Sequence, residues 1–259
     1  MSQLDLRATP LAWRSVLSVL LFVAFWEIAA RSHVAPAILL PSFSVVAEQL
    51  WHSTLDGTLV ADLSLSLARA ICGLFLATVG GVILGLLMAR NRAIEWLADP
   101  LVALGFPSPK IAFLPIFILW FGIESLSKIL LVAFACIFPI IIGTYSAARA
   151  VSRLFVWSAL SLGSGRLSLF LHVILPACYP RIFTTFRIAV PVGLITTFTA
   201  EMVAGGGGMG GTLIYSQRFF ESPTVFAYIV VMLAVGLVFD AAMRRFQHRF
   251  LRWAEEYRS

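Results

Sequence analysis

The stretch Ala70 to Ala89, AICGLFLATVGGVILGLLMA, runs for twenty residues without a charge. As a helix it is about 30 Å long, the thickness of a bilayer's hydrocarbon core. A single oily helix inside a soluble domain does not account for the rest of the chain, in which 60% of 259 residues are hydrophobic and 12% are charged. Five more segments meet the same test: Leu11 to Ala30, Leu101 to Phe121, Ile129 to Tyr145, Ile182 to Ala204 and Val225 to Met243. The sequence therefore predicts an all-α polytopic membrane protein with six spans. Arg14 and Glu27 lie inside the first segment and no small-residue cleavage site follows it, so it is expected to be a helix and not a cleaved signal peptide.

The basic residues orient these spans. With a cytoplasmic N-terminus, the inside segments hold Arg7, Arg14, Arg90, Arg92, Arg149, Arg153, Arg166, Arg181, Arg244, Arg245, Arg249, Arg252 and Arg258, against Arg31, Lys128 and Arg218 outside. Such a bias places both termini in the cytoplasm. The net charge of +6 then belongs to the membrane's inner surface, and nucleic acid is not expected as a partner. The polar segment Arg31 to Asp62 should lie outside, with PSFSVVAEQLWHSTLDG forming a helix on the outer surface.

Within the second span, Gly73, Ala77, Gly81 and Gly85 fall four residues apart, a stripe of small residues along which a neighbouring helix can approach closely. The third span contains FPSPKIAFLP. Its prolines remove backbone hydrogen bonds that lipid cannot replace, so this span should start late or be broken, with its irregular part against protein. Pro139 and Pro191 suggest kinks in the fourth and fifth spans.

Catalysis finds little support. The four histidines show no paired metal spacing, the three cysteines read as small apolar residues, and AGGGGMGG at Ala204 to Gly211 lacks the lysine of a phosphate-binding loop. A permissive turn is the better reading of those glycines. Ionisable residues in or near spans are stronger candidates, because lipid makes them costly. Lys110, Glu201 and Asp240 sit near span ends and fit snorkelling to the interface as well as a functional role. Arg187 is the candidate for a translocation path, with Thr185, Thr196 and Thr199 on roughly its helix's one hydroxyl-bearing face, although such threonines often bond their own helix's carbonyls.

One inside stretch is amphipathic where its neighbours are not: WSALSLGSGRLSLFLHVILP, Trp157 to Pro176. Gly163, nine residues, Val173, one residue and Leu175-Pro176 resemble the cytoplasmic loop of bacterial ABC importer permeases, whose pattern is Glu-Ala-Ala, three residues, Gly, nine residues, Ile, one residue, Leu-Pro. LLPSFSVV, PSPKIAFLPIFILWFGIESLSKI, FPIIIGTYSAAR, ILPACYPRI, FTAEMVAGGGGMGGTLI and FLRW resemble the nitrate, sulfonate and taurine branch, over about Leu39 to Trp253. The chain departs from the family where Trp157, Ser158 and Ala159 replace Glu-Ala-Ala, so the family's acidic contact is missing.

The resemblance implies a type I importer permease with a transmembrane domain over 62–243, preceded by an N-terminal segment at 1–61 and followed by a basic tail at 244–259. It implies that the loop at about 148–181 docks into an ABC ATPase subunit through Trp157, Ser158, Ala159, Leu160, Leu162, Gly163, Arg166, Leu175 and Pro176. A second permease copy and an extracytoplasmic solute-binding protein are the other implied partners. The chain itself would bind no cofactor, the ATP being used by the ATPase subunit, and no metal. An ion-gradient-driven transporter, with Glu27 and Asp240 as ion sites, or a channel filtered by the glycines are the other readings.

Overall fold

The computed structural model describes residues 11–32 and 35–250, and within them every regular element is helical. In chain order these are α1 (Leu11–Arg31), α2 (Phe43–Leu55), α3 (Thr58–Arg90), α4 (Arg92–Gly105), α5 (Leu114–Phe121), α6 (Ser125–Arg149), α7 (Arg153–Ser161), α8 (Arg166–Leu169), α9 (Leu175–Ala204), α10 (Met209–Arg218) and α11 (Ser222–Phe250). Arg7, Arg252, Arg258 and the closing FLRW lie wholly or partly outside the described residues.

Among the described residues four helical runs are long and apolar enough to cross a membrane, Thr58–Arg90, Ser125–Arg149, Leu167–Ala204 and Ser222–Gln247, and the bent pair Arg92–Gly105 and Lys110–Phe121 makes a fifth if it is one span, against the six expected. The expected first span is helical as α1. The expected third span is not one straight helix. After α4, a 3-10 turn at Lys110–Phe113 leads into α5, and the two halves meet at a bend of 99°. The prolines explain the break, as anticipated: Pro107 and Pro109 cannot donate to a continuing helix, whereas Pro115 sits in the first turn of α5 where no donor is needed. With eight residues, α5 reaches only about 12 Å.

Helices α3, α6 and α9 form the centre of the bundle. Ala70, Leu74 and Ala77 interlock there with Val132, Cys136 and Ile140 and with Ala189, Val190 and Leu194. The small-residue stripe does what its spacing predicts. A Cβ added at Gly73 would stand 2.6 Å from Val132, one at Gly81 2.8 Å from Ile140, and one at Gly85 2.8 Å from the Ile141 carbonyl oxygen. Lipid tails are as apolar as these side chains, so close van der Waals contact, and not escape from water, holds α3 to α6.

Two span limits need correcting. The second span, expected over Ala70 to Ala89, continues as α3 through Arg69 to Thr58, with Arg69 buried against Glu201. Lys128, counted among outside loop residues, is completely buried in the first turn of α6. The helix expected over PSFSVVAEQLWHSTLDG is present as α2. It is tied to α1 by Glu27, which accepts from the Ser44 N–H at 3.1 Å and pairs with Arg31, and by Trp26, which donates to the Pro41 carbonyl at 3.0 Å.

Candidate functional site

The loop between α6 and α9 is built around a left-handed glycine. Ser152 opens α7 by accepting from the Leu154 N–H, and Gly163 closes it with φ +83°. The Ser164 N–H donates to the Ala159 carbonyl at 3.0 Å and the Gly163 N–H to that of Leu160 at 2.9 Å, the paired bonds of a Schellman ending. Gly163 thus has a local reason to be glycine, since it ends α7. A Cβ there would meet nothing within 4 Å. Around it Trp157 is 59% exposed and Leu162 86%, with Ser158, Leu160 and Leu167 also exposed, while Ala159 faces inward.

Arg166 opens α8, and the chain then passes through a π-helical turn at Phe170–Ile174 before α9. Leu175 and Pro176 belong to the first turn of α9, so the loop's last predicted residues are already helical. The turn is held to the bundle by Arg90, whose guanidinium lies 5.7 Å from the Phe170 ring centre. Beside them a small apolar cleft lies against Leu86, Ala89 and Ala148.

Of the expected path residues, Arg187 is half-buried between α9 and α11. It donates to Asp240 at 3.0 Å and to the Gln247 side-chain oxygen at 2.9 Å, and Asp240 also pairs with Arg244. An internal partner for this arginine is what the cost of a charge in lipid demands. The Thr185 and Thr196 hydroxyls donate to the carbonyls of Arg181 and Val192 in their own helix, and Thr199 is half-buried. Lys110 donates to the Phe106 carbonyl beside the Phe138 ring.

The largest polar cluster was not foreseen. Glu201, read as close enough to a span end to snorkel, is instead wholly buried and pairs at 2.7 Å with Arg69, itself 2% exposed. The Arg69 guanidinium also donates to the carbonyls of Gly207 at 3.0 Å and Gly206 at 2.9 Å, and to Ser125 at 3.0 Å. The other side of the glycine-rich loop is bonded too. The N–H groups of Gly208, Met209 and Gly210 donate to Asp62, Ser66 and Glu201, and Asp62 accepts from Thr212 and Tyr228 as well. Gly205 to Gly208 all have φ between 69° and 87°. The stretch is therefore a turn, as expected, but one clasped by side chains from α3 and α9. A signal for this was present: Asp62, Ser66 and Arg69 continue the face of α3 that carries Gly73, Ala77, Gly81 and Gly85.

A helical bundle with membrane-length spans, a clasped glycine-rich loop and an exposed apolar loop at Gly163 defines an integral membrane protein. Residues 81–252 match the family model described as binding-protein-dependent transport system inner membrane component, and the chain belongs to that family. It is 30% identical over 255 residues to the taurine transport system permease protein TauC of Escherichia coli, covering 95% of this chain and 93% of that protein. It is likewise 30% identical to the formylaminopyrimidine transport permease protein ThiX of Halalkalibacterium halodurans, over 95% of this chain and 97% of that protein. Among solved structures, the fold is similar to the inward-facing MetNI methionine ABC transporter, with a TM-score of 0.65 at 16% identity, covering 74% of this chain and 95% of the other.

Proposed function

We propose that this chain is the permease subunit of an ATP-driven importer, working as a homodimer with two copies of a separate ATPase and receiving its solute from an extracytoplasmic binding protein. One observation carries the proposal: the exposed apolar surface of Trp157, Leu160 and Leu162 beside the left-handed Gly163, before the run that begins at Leu167 and with open space where a partner would press. Exposed leucines and a tryptophan on a water-facing loop are a signature of a protein interface. Arg90 on Phe170 and the π turn connect that surface to α3 and α9, so a push on the loop reaches helices of the core. Arg187, Thr185, Thr196 and Thr199 are assigned to the solute path, and the ATP chemistry to the partner subunit. The solute is a small compound of the nitrate, sulfonate or taurine kind. Asp240, an ion-site candidate in the gradient-driven reading, is already paired with Arg187 and Arg244, which favours the ATP-driven one.

This arrangement requires the loop on the cytoplasmic side and α2 outside. A cysteine introduced at the exposed Thr54 should react with an impermeant thiol reagent added to intact cells, and one at Ser164 should react only after the membrane is opened. Labelling of Ser164→Cys in intact cells would overturn the orientation and the docking role with it.

A further inference from the structure

The clasp on the glycine-rich loop leaves one of its faces free. Because the Gly206 carbonyl points at Arg69 and no peptide bond among the described residues is cis, the Gly207 N–H of the same planar unit points the opposite way. Gly205, Gly206 and Gly207 form one wall of a cleft of about 390 Å³, lined opposite by Thr212, Tyr215 and Arg218 of α10. Arg218 is exposed and has no ion-pair partner among the described residues, unlike Arg69 and Arg187. We infer that this cleft is a receiving subsite for a small oxoanion such as a sulfonate, held by the Arg218 guanidinium and the Gly207 N–H.

A planar guanidinium matches the paired oxygens of a sulfonate, and an outward backbone N–H adds a donor that no side-chain change removes. The cleft lies on the side of the bundle the orientation places outside, where a solute leaves its binding protein, so the inference rests on the permease reading. Arg69 is turned away from the anion: it is buried, and four of its five N–H donors are engaged by Glu201, Ser125 and the two carbonyls.

Methanesulfonate and its neutral isostere dimethyl sulfone are the probes, followed by saturation transfer from the full chain in phosphatidylcholine nanodiscs to their methyl protons. Methanesulfonate should titrate and dimethyl sulfone should not. In Arg218→Gln the apparent Kd should rise about tenfold or more, with Arg218→Lys in between. Equal saturation of the two probes on the unaltered chain, which needs no variant, would overturn the subsite, as would an unchanged titration in Arg218→Gln. Adding phosphatidylglycerol should leave the midpoint where it was; competition would assign the cleft to a lipid headgroup and not to a solute. The measurement uses neither ATP nor a binding protein, so a failure of ATP-driven uptake would count against the permease reading alone.

Discussion

Glu201→Ala is expected to remove most of the protein from the membrane. The substitution strands the Arg69 guanidinium in a site that is 2% exposed, and it also leaves the Ser66 hydroxyl and the Gly210 N–H without their acceptor. Breaking a buried pair from one side costs about 3–5 kcal/mol, because the remaining charge has neither water nor partner. A loss of that size is a large share of a typical domain's net stability, about 5–15 kcal/mol. The glycine-rich loop should loosen with it, since Arg69 holds the carbonyls of Gly206 and Gly207 only while its own position is fixed. The double variant Arg69→Met with Glu201→Leu should recover part of the lost abundance, as it removes the stranded charge along with the pair. Membrane abundance and the unfolding midpoint in detergent measure both effects. A Glu201→Ala protein with wild-type abundance and midpoint would show that the clasp carries no stability.

The contrast between what was legible and what was not follows from this cluster. Span positions were readable because lipid requires long apolar helices, and the stripe from Gly73 to Gly85 was readable because close helix approach needs small residues at a fixed spacing. The break in the third span was readable from Pro107, Pro109 and Pro115. Arg69 and Glu201 were not, because they are 132 residues apart and each looks like an ordinary span end until its partner is known. Hydropathy treats a charge as the end of a helix, and a pair of opposite charges buried together defeats that rule. Lys128 was misplaced for the same reason: it lies fully buried beside this cluster, donating to the Ile123 carbonyl at 2.8 Å. At Gly163 the spacing located the loop, while only the backbone revealed that the glycine also terminates α7.

Gly163→Leu is expected to separate insertion from transport. The position has φ +83° and open surroundings, so leucine disturbs no packing within the chain and adds about 1–2 kcal/mol of backbone strain at the end of α7. The loop lies outside the spans, and the protein should insert at near wild-type abundance. Coupling is far less tolerant. Driving a conformational equilibrium from 1:99 to 99:1 takes about 5.5 kcal/mol of differential binding, so a loss of a few kcal/mol at the docking surface leaves the ATPase unable to complete the switch. Co-purification of the ATPase subunit and its solute-stimulated ATP hydrolysis should both fall. Gly163→Ala separates the causes, because it carries the same backbone strain with a single methyl group, and it should retain more coupling than the leucine variant. Trp157→Glu restores the family's acidic residue at an exposed position and should be tolerated where the ATPase cleft offers a basic partner. Normal ATP hydrolysis and co-purification in Gly163→Leu would remove the docking assignment.

In the proposed function a separate ATPase drives movement of solute through this chain. Sealed proteoliposomes holding the permease and its co-expressed ATPase, supplied with the binding protein outside, test it most directly through uptake of labelled taurine, methanesulfonate or nitrate. Uptake of at least one of them should require ATP at the face carrying the Gly163 loop, should persist when proton and sodium gradients are collapsed, and should be lost in Gly163→Leu. Uptake that proceeds without ATP and follows an imposed ion gradient would show that the chain is a gradient-driven transporter instead.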